Sequence, residues 1–328
     1  MSWALSVSST GESRYRVNPR RTFPESTYPR TPSLRLASCL WLLTSLALLG
    51  TRQAAEACDH PPDEQVQAER SRSLTPAQVV GNPDLVHDRL REKNPDYRNQ
   101  AQFAMDPALG LVGDLSGGGV TDLSPLQGLP FGALDLKGLE VSDLAPLKGM
   151  PLILLGLEDT RVADLKPLAG LKLEKLYLNN TDVADLKPLK GMPLSELMLV
   201  GTRVKDLRPL RGVPVQMLWL NNTPVTDISP IATCPLVSLT LEGTGVSDLR
   251  PLSKMSGLRR LHIGRTKVTD LTPLKGLALT RLIFTPDNIR AGLDVVRNMG
   301  TLTELGTTLD TRMPPDQFWG QFDRGTMR

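Results

Sequence analysis

The stretch VADLKPLKGMPLSELMLVGTR, residues 183–203, decides the fold because it recurs along the middle of the chain. Eight valines start the same frame, separated by 21 residues six times and by 22 residues once. A period of roughly 20 to 50 residues is typical of a solenoid, in which each coil contacts only its neighbours. The eight starting positions are Val120, Val141, Val162, Val183, Val204, Val225, Val246 and Val268.

Each repeat divides into a strand and a return segment. Alternating leucines, as in Leu197-Met198-Leu199, predict a short half-buried strand. Leu186 and Leu189 lie three residues apart around Pro188, which predicts a single 3₁₀-like turn that cannot extend into a longer helix. We therefore expect stacked parallel strands on one side and short turns on the other.

Two polar residues recur as strictly as the leucines, and we interpret both as scaffold. The aspartate before each return segment is expected to accept hydrogen bonds from the N–H groups of its own turn. The threonine after each strand is expected to bond the backbone where the chain leaves the sheet. The aspartates are Asp122, Asp143, Asp164, Asp185, Asp206, Asp227, Asp248 and Asp270, and the threonines are Thr160, Thr181, Thr202, Thr223, Thr244 and Thr266.

The consensus L-x-x-L-x-L-x-x-T-x-V-x-D-L-x-P-L-x-G-x-P resembles bacterial leucine-rich repeat proteins of the short, internalin-like class. The resemblance covers residues 120–285, about half of the chain. It implies an α/β-type repeat solenoid: an arc with parallel concave strands, a convex side of 3₁₀ turns and loops, and small caps at both ends. It also implies a non-catalytic platform whose concave strands bind protein, peptide or glycan.

The first 57 residues predict a signal peptide or a membrane anchor. Residues 36–50 are uncharged and largely apolar, two arginines precede them, and Ala55-Glu56-Ala57 matches a small-residue cleavage site before Cys58. The run is short for a spanning helix. The segment before it is long for a leader, so either translation starts downstream of Met1 or the segment is an uncleaved anchor. A cytoplasmic protein is the third alternative.

The other boundaries follow from the ends of the periodicity. Residues 58–73 are polar and predict a linker, and residues 74–119 predict an N-terminal cap with a helix opened by Thr75-Pro76 and broken near Gly81-Asn82-Pro83. Residues 113–115 fall in register with 134–136, as a degenerate first coil would. After the eight repeats of 120–285, residues 286–328 predict a C-terminal helical cap, with helical spacing from Pro286 to Met299 and a final turn near Phe318 and Trp319.

Composition excludes several functions. The net charge is +3, and residues 1–57 alone carry +4, so the remainder is nearly neutral. A nearly neutral body lacks the basic surface that binds nucleic acid. The three cysteines cannot form a disulfide scaffold, although a Cys58–Cys234 bridge stays open. The three histidines lack metal or general-base spacing, and kinase and hydrolase motifs are missing. We expect no enzyme, cofactor or metal.

The candidate binding site is the residue between the two leucines of each strand, which should point out of the concave face. Tyr177, Met198 and Trp219 form an aromatic and methionine cluster there, as at interface centres, with Asn179 and Asn221 beside it. The alternative is that these side chains pack within the scaffold. The full stripe is Asp135, Gly156, Tyr177, Met198, Trp219, Thr240, His262 and Ile283.

A secondary basic patch lies on the last strands. Arg259, Arg260, His262 and Arg281 could receive an acidic partner or phosphate, with Arg265 nearby. The alternative is a solvated charged face.

We expect a monomeric, exported binding platform, located in the periplasm, the envelope or outside the cell, whose partner is a protein or peptide. Membrane contact is expected only through residues 36–50 if the leader is uncleaved. The alternatives are a glycan or envelope-surface adhesin, and an envelope structural element without a dedicated ligand.

Overall fold

A computed structural model describes residues 74–326. The expected leader at 1–57, the linker at 58–73 and the cysteine bridge to Cys58 lie outside these residues. Within them, no helix is long and apolar enough to cross a membrane.

Eleven strands in the described part form one open sheet in sequence order, from β1 to β11. All neighbouring pairs are parallel except β1 and β2, which are antiparallel. This arrangement, with one strand per coil, confirms the predicted leucine-rich repeat solenoid. The strands are β1 Gln102–Asp106, β2 Gly110–Asp114, β3 Phe131–Asp135, β4 Leu154–Gly156, β5 Lys175–Tyr177, β6 Glu196–Met198, β7 Met217–Trp219, β8 Ser238–Thr240, β9 Arg260–Ile263, β10 Arg281–Phe284 and β11 Glu304–Gly306.

A 3₁₀ turn with proline in its first two positions joins each strand from β2 to β9 to the next strand. The turns are Ser124–Leu126, Ala145–Leu147, Lys166–Leu168, Lys187–Leu189, Arg208–Leu210, Ser229–Ile231, Arg250–Leu252 and Thr272–Leu274. The strand leucines and the turn leucines face each other and are almost fully buried, as Leu176 and Leu189 illustrate. Burial of these leucines between the two sides supplies the main stabilisation of each coil.

The recurring aspartates and threonines act as scaffold, as predicted. Each of the eight aspartates accepts a hydrogen bond from the backbone N–H two residues later, for example Lys187 N to Asp185 Oδ1 at 2.9 Å. Each of the six threonines donates its hydroxyl to a carbonyl three residues earlier, for example Thr202 to Leu199 at 2.7 Å.

The N-terminal end contains two helices and a hairpin. Helix α1, Pro76–Gly81, starts at a capping box formed by Thr75 and Gln78, and helix α2 spans Asp84–Lys93, so the predicted break is confirmed. The register of Gly113 with Leu134 is also confirmed. The antiparallel strand β1 was not anticipated, because loose alternation at Phe103 to Leu115 does not reveal the turn between two strands.

The C-terminal end departs from the predicted single helix between Pro286 and Met299. It contains a 3₁₀ turn at Pro286–Asn288, a short helix α3 at Leu293–Arg297, strand β11 and helix α4 at Pro315–Asp323. Gly292 interrupts the helix, since it adopts φ +81° and packs so close to the backbone of Leu271 that no side chain fits. Phe318 of α4 packs on Phe284 and closes this end of the core.

Candidate functional site

The outward-facing side chains of the strands form the concave face. Their register places Tyr177 beside Met198 and Met198 beside Trp219 on the adjacent strands β5, β6 and β7. The structure therefore brings the predicted cluster together, and Met217 lies next to it at the first position of β7.

The expectation that this whole cluster stands exposed is wrong. Tyr177 is 9% exposed and Met198 is 7% exposed, whereas Trp219 and Met217 are half-buried. Neighbouring strands lie about 4.8 Å apart, so large side chains in the same row cover one another. A ligand on this face would therefore meet Trp219 and Met217 before the more deeply buried Tyr177 and Met198.

The two asparagines beside the cluster use their amide groups within the sheet. Asn179 Oδ1 accepts the backbone N–H of Val200 at 3.1 Å, and its amide lies 3.8 Å from the Met198 sulfur. Asn221 is buried, donates to Glu242 at 3.2 Å and accepts the hydroxyl of Thr240. Both side chains link successive coils, which leaves little capacity to bind a sugar.

Two carboxyl groups lie at the N-terminal side of the cluster, and the sequence analysis missed them as a pair. They lean over Gly156, where an ideal Cβ would lie 2.9 Å from Asp135 Oδ1 and 3.2 Å from Glu158 Oε2. Burial, together with the neighbouring Asp135, raises the pKa of Glu158 to about 7. Burial also raises the pKa of Asp135. The sequence could have indicated this carboxyl group, because Glu158 occupies the same repeat position as Asn179 and Asn221.

The secondary basic patch is divided by its ion pairs. Arg281 pairs with Glu304, and Arg265 pairs with Glu242 at 2.9 Å. Arg259 donates to two backbone carbonyls near its own turn, those of Ser256 and Leu258. Most of the predicted positive charge is thus neutralised or used locally.

His262 does not belong to an exposed patch. It is 3% exposed, and neither ring nitrogen has a hydrogen-bond partner. Its Nε2 lies 3.8 Å from Glu242, beyond hydrogen-bond distance. Burial, followed by the nearby charge of Arg265, lowers the pKa of His262 to about 4, so the ring is neutral at pH 7.

The described residues contain no group of three or more His, Cys, Asp or Glu side chains arranged to hold a metal ion. Cys234 is buried in the return side of its coil, and burial raises the pKa of its thiol.

No protein-family model and no curated protein matches the chain. Among solved structures, it is similar to an internalin, InlF, from Listeria monocytogenes, with 26% identity and a TM-score of 0.50 over 56% of this chain. The chain covers 64% of that structure, less than two thirds of its length. It is also similar to internalin C2 from the same organism, with 24% identity and a TM-score of 0.51, over 66% of this chain and 100% of the other. These similarities support the leucine-rich repeat fold.

Proposed function

We propose that this chain is a non-catalytic binding platform that recognises a protein or peptide on its concave face, outside the cytoplasm. The observation that carries the proposal is the half-buried pair Met217 and Trp219 on β7, which lies beside Met198 and Tyr177 of the two preceding strands. Aromatic and methionine side chains on a rigid support are typical of interface centres, because they bind without ordering much new structure.

A protein partner accounts for this face better than a glycan does. Sugar recognition would need free amide groups beside the aromatic ring, and Asn179 and Asn221 already bond the next coil. The similarity to two internalins adds support for the internalin-like class and for a protein-binding role.

Export is proposed from the sequence of the leader. The apolar run at 36–50 precedes Ala55-Glu56-Ala57, which predicts a mature N-terminus at Cys58. N-terminal sequencing of the protein from its native source checks this. Recovery of Met1 would contradict cleavage, and recovery from the cytoplasmic fraction would contradict export.

The binding proposal is tested by affinity capture from native extract, using the full chain and a Trp219→Ala variant. Met105→Ala is the matched control, because Met105 is 52% exposed on the edge strand β1, away from the proposed site. All three proteins are first compared by circular dichroism. We expect one partner to be retained by the wild type and the control and lost by Trp219→Ala. Equal capture by all three, or no capture by any, would overturn the proposed site.

A further inference from the structure

Arg260 differs from Arg265 and Arg281 of the basic patch in having no carboxylate partner within residues 74–326, and it differs from Arg259 in donating to no backbone carbonyl there. It is half-buried at the first outward position of β9, and its Nη2 lies 3.8 Å from the sulfur of Met217 on β7. Ser238 of β8 lies between these two residues in the register. The guanidinium therefore reaches across Ser238 on the concave face to the side chain of Met217, which lies two residues before Trp219 on β7.

The surroundings of this guanidinium contain further polar groups that the chain does not satisfy. His262 is the next outward residue on β9, and both of its ring nitrogens lack a partner. A half-buried guanidinium and an unsatisfied imidazole on the same strand are each costly, because each has lost water without gaining a partner, and the ring nitrogen of His262 lies toward Gly264 rather than Arg260.

We propose that Arg260 receives a carboxylate of an acidic peptide segment of the partner, immediately beside the contact with Trp219. This inference rests on the proposed function and adds the chemistry of the partner to it. A planar guanidinium binds a carboxylate through two parallel hydrogen bonds.

The charges on either side favour a carboxylate over a phosphate. Glu242 and Glu304 engage the neighbouring Arg265 and Arg281, and Arg259 donates to two backbone carbonyls. One guanidinium is enough for a carboxylate, whereas no neighbouring arginine of the patch is left to bind the second negative charge of a phosphate.

The spacing on the sheet also defines the peptide. The guanidinium of Arg260 reaches the side chain of Met217, and Met217 lies two residues before Trp219 on β7, a separation of about 6.6 Å. A peptide in an extended conformation advances about 3.3 Å per residue. The partner should therefore carry an Asp or Glu two positions from an apolar residue that contacts Trp219.

The test is selection of phage-displayed random peptides on the full chain. One selected peptide is synthesised, labelled, and titrated by fluorescence anisotropy against the wild type and the variants Arg260→Gln, Arg281→Gln and Trp219→Ala. Arg281→Gln is the matched control, because Arg281 occupies the equivalent outward position on β10 but is already paired with Glu304. We expect selected peptides to carry the acidic and apolar residues at the stated spacing. We also expect Arg260→Gln to weaken binding about tenfold or more, and Arg281→Gln to weaken it much less.

Each other outcome has a defined meaning. Peptides that depend on Trp219 but lack an acidic residue, or bind Arg260→Gln as tightly as Arg281→Gln, would overturn this inference and leave the proposed function standing. Peptides indifferent to Trp219→Ala would overturn the proposed function itself, and recovery of no peptide would overturn both. In a parallel titration, binding of a heparin-derived oligosaccharide through Arg260, without any acidic peptide, would also overturn the peptide assignment.

Discussion

The phenolic hydroxyl of Tyr177 donates a hydrogen bond to Oε2 of Glu196 on the next strand, over 3.1 Å. Lys175, two residues before Tyr177, bonds the other oxygen of the same carboxylate at 2.7 Å. Burial and the nearby Glu196 raise the pKa of Tyr177, so the hydroxyl stays protonated and remains a donor. The hydrogen bond thereby fixes the ring on the concave face, two strands from Trp219.

Replacing Tyr177 by Phe removes this hydrogen bond while keeping the ring. We expect a loss of about 0.5–1.5 kcal/mol in the free energy of unfolding, as for a typical partly buried hydrogen bond. Urea unfolding followed by circular dichroism measures it. An unchanged midpoint would show that the hydroxyl bonds water equally well in this position.

Replacing Asp185 by Ala should destabilise the protein by about 1 kcal/mol, because the N–H of Lys187 loses its acceptor at the start of a turn. Glu140→Gln is the comparison, since it breaks only an exposed ion pair with Arg161 and should cost close to nothing. Thermal unfolding of both variants checks the difference. Equal melting temperatures would contradict the scaffold role of the aspartate ladder.

Replacing Thr202 by Val should cost about 1 kcal/mol, because the buried hydroxyl no longer donates to the carbonyl of Leu199. The loss stays modest, since the N–H of Thr202 still bonds the same carbonyl at 3.2 Å. Thr202→Ser keeps the hydroxyl and should retain most of the stability. Chemical denaturation of both variants measures this, and a serine variant as weak as the valine variant would point to lost packing as the cause.

Glu158 should make the folded protein less stable as the pH rises. Its carboxyl has a pKa of about 7 when folded, against 4.5 as the ordinary value, so the folded state holds more protons between these pH values. Stability therefore falls as the pH increases through this window. Glu158→Gln should remove the loss and be more stable than the wild type at about pH 8, by on the order of 1–3 kcal/mol.

Urea midpoints of the wild type and Glu158→Gln across this pH range test the prediction. Glu140→Gln, which removes an exposed carboxylate paired with Arg161, is the matched control. If the urea midpoints of the wild type and Glu158→Gln changed with pH in parallel, Glu158 would be ionised in the folded state throughout this pH range.

His262 should make the folded protein less stable as the pH falls, which is opposite to the effect of Glu158. Its pKa is about 4 when folded, against 6.5 ordinarily, so the unfolded chain binds more protons as the pH falls between these values. Stability contributed by the neutral ring is lost on acidification through this window. His262→Leu should abolish that loss and stabilise the protein at pH 7 by about 1 kcal/mol, because two unsatisfied nitrogens are removed. Differential scanning calorimetry of the wild type and His262→Leu at about pH 4 and pH 7 measures both effects. A leucine variant less stable than the wild type at pH 7 would contradict the claim that the unsatisfied ring nitrogens destabilise the fold.

The sequence alone was sufficient for the repeat, the strand and turn of each coil, and the roles of Asp185 and Thr202. Each of these depends on residues within one coil, and eight copies of the pattern average out local ambiguity. The ends of the solenoid were harder to predict, because the hairpin at β1 and the interruption at Gly292 occur only once and have no repeat to confirm them.

Which concave residues are exposed, and which charges are paired, was decided only by the tertiary structure. Tyr177 is buried beside Met198 and hydrogen-bonded to Glu196, both on the next strand and about one repeat later in the sequence. Arg281 is neutralised by Glu304, 23 residues later, whereas Arg260 has no such carboxylate among the described residues. Burial and ion pairing depend on side chains that the sheet brings together from different coils, and the period of the sequence does not specify how those side chains orient.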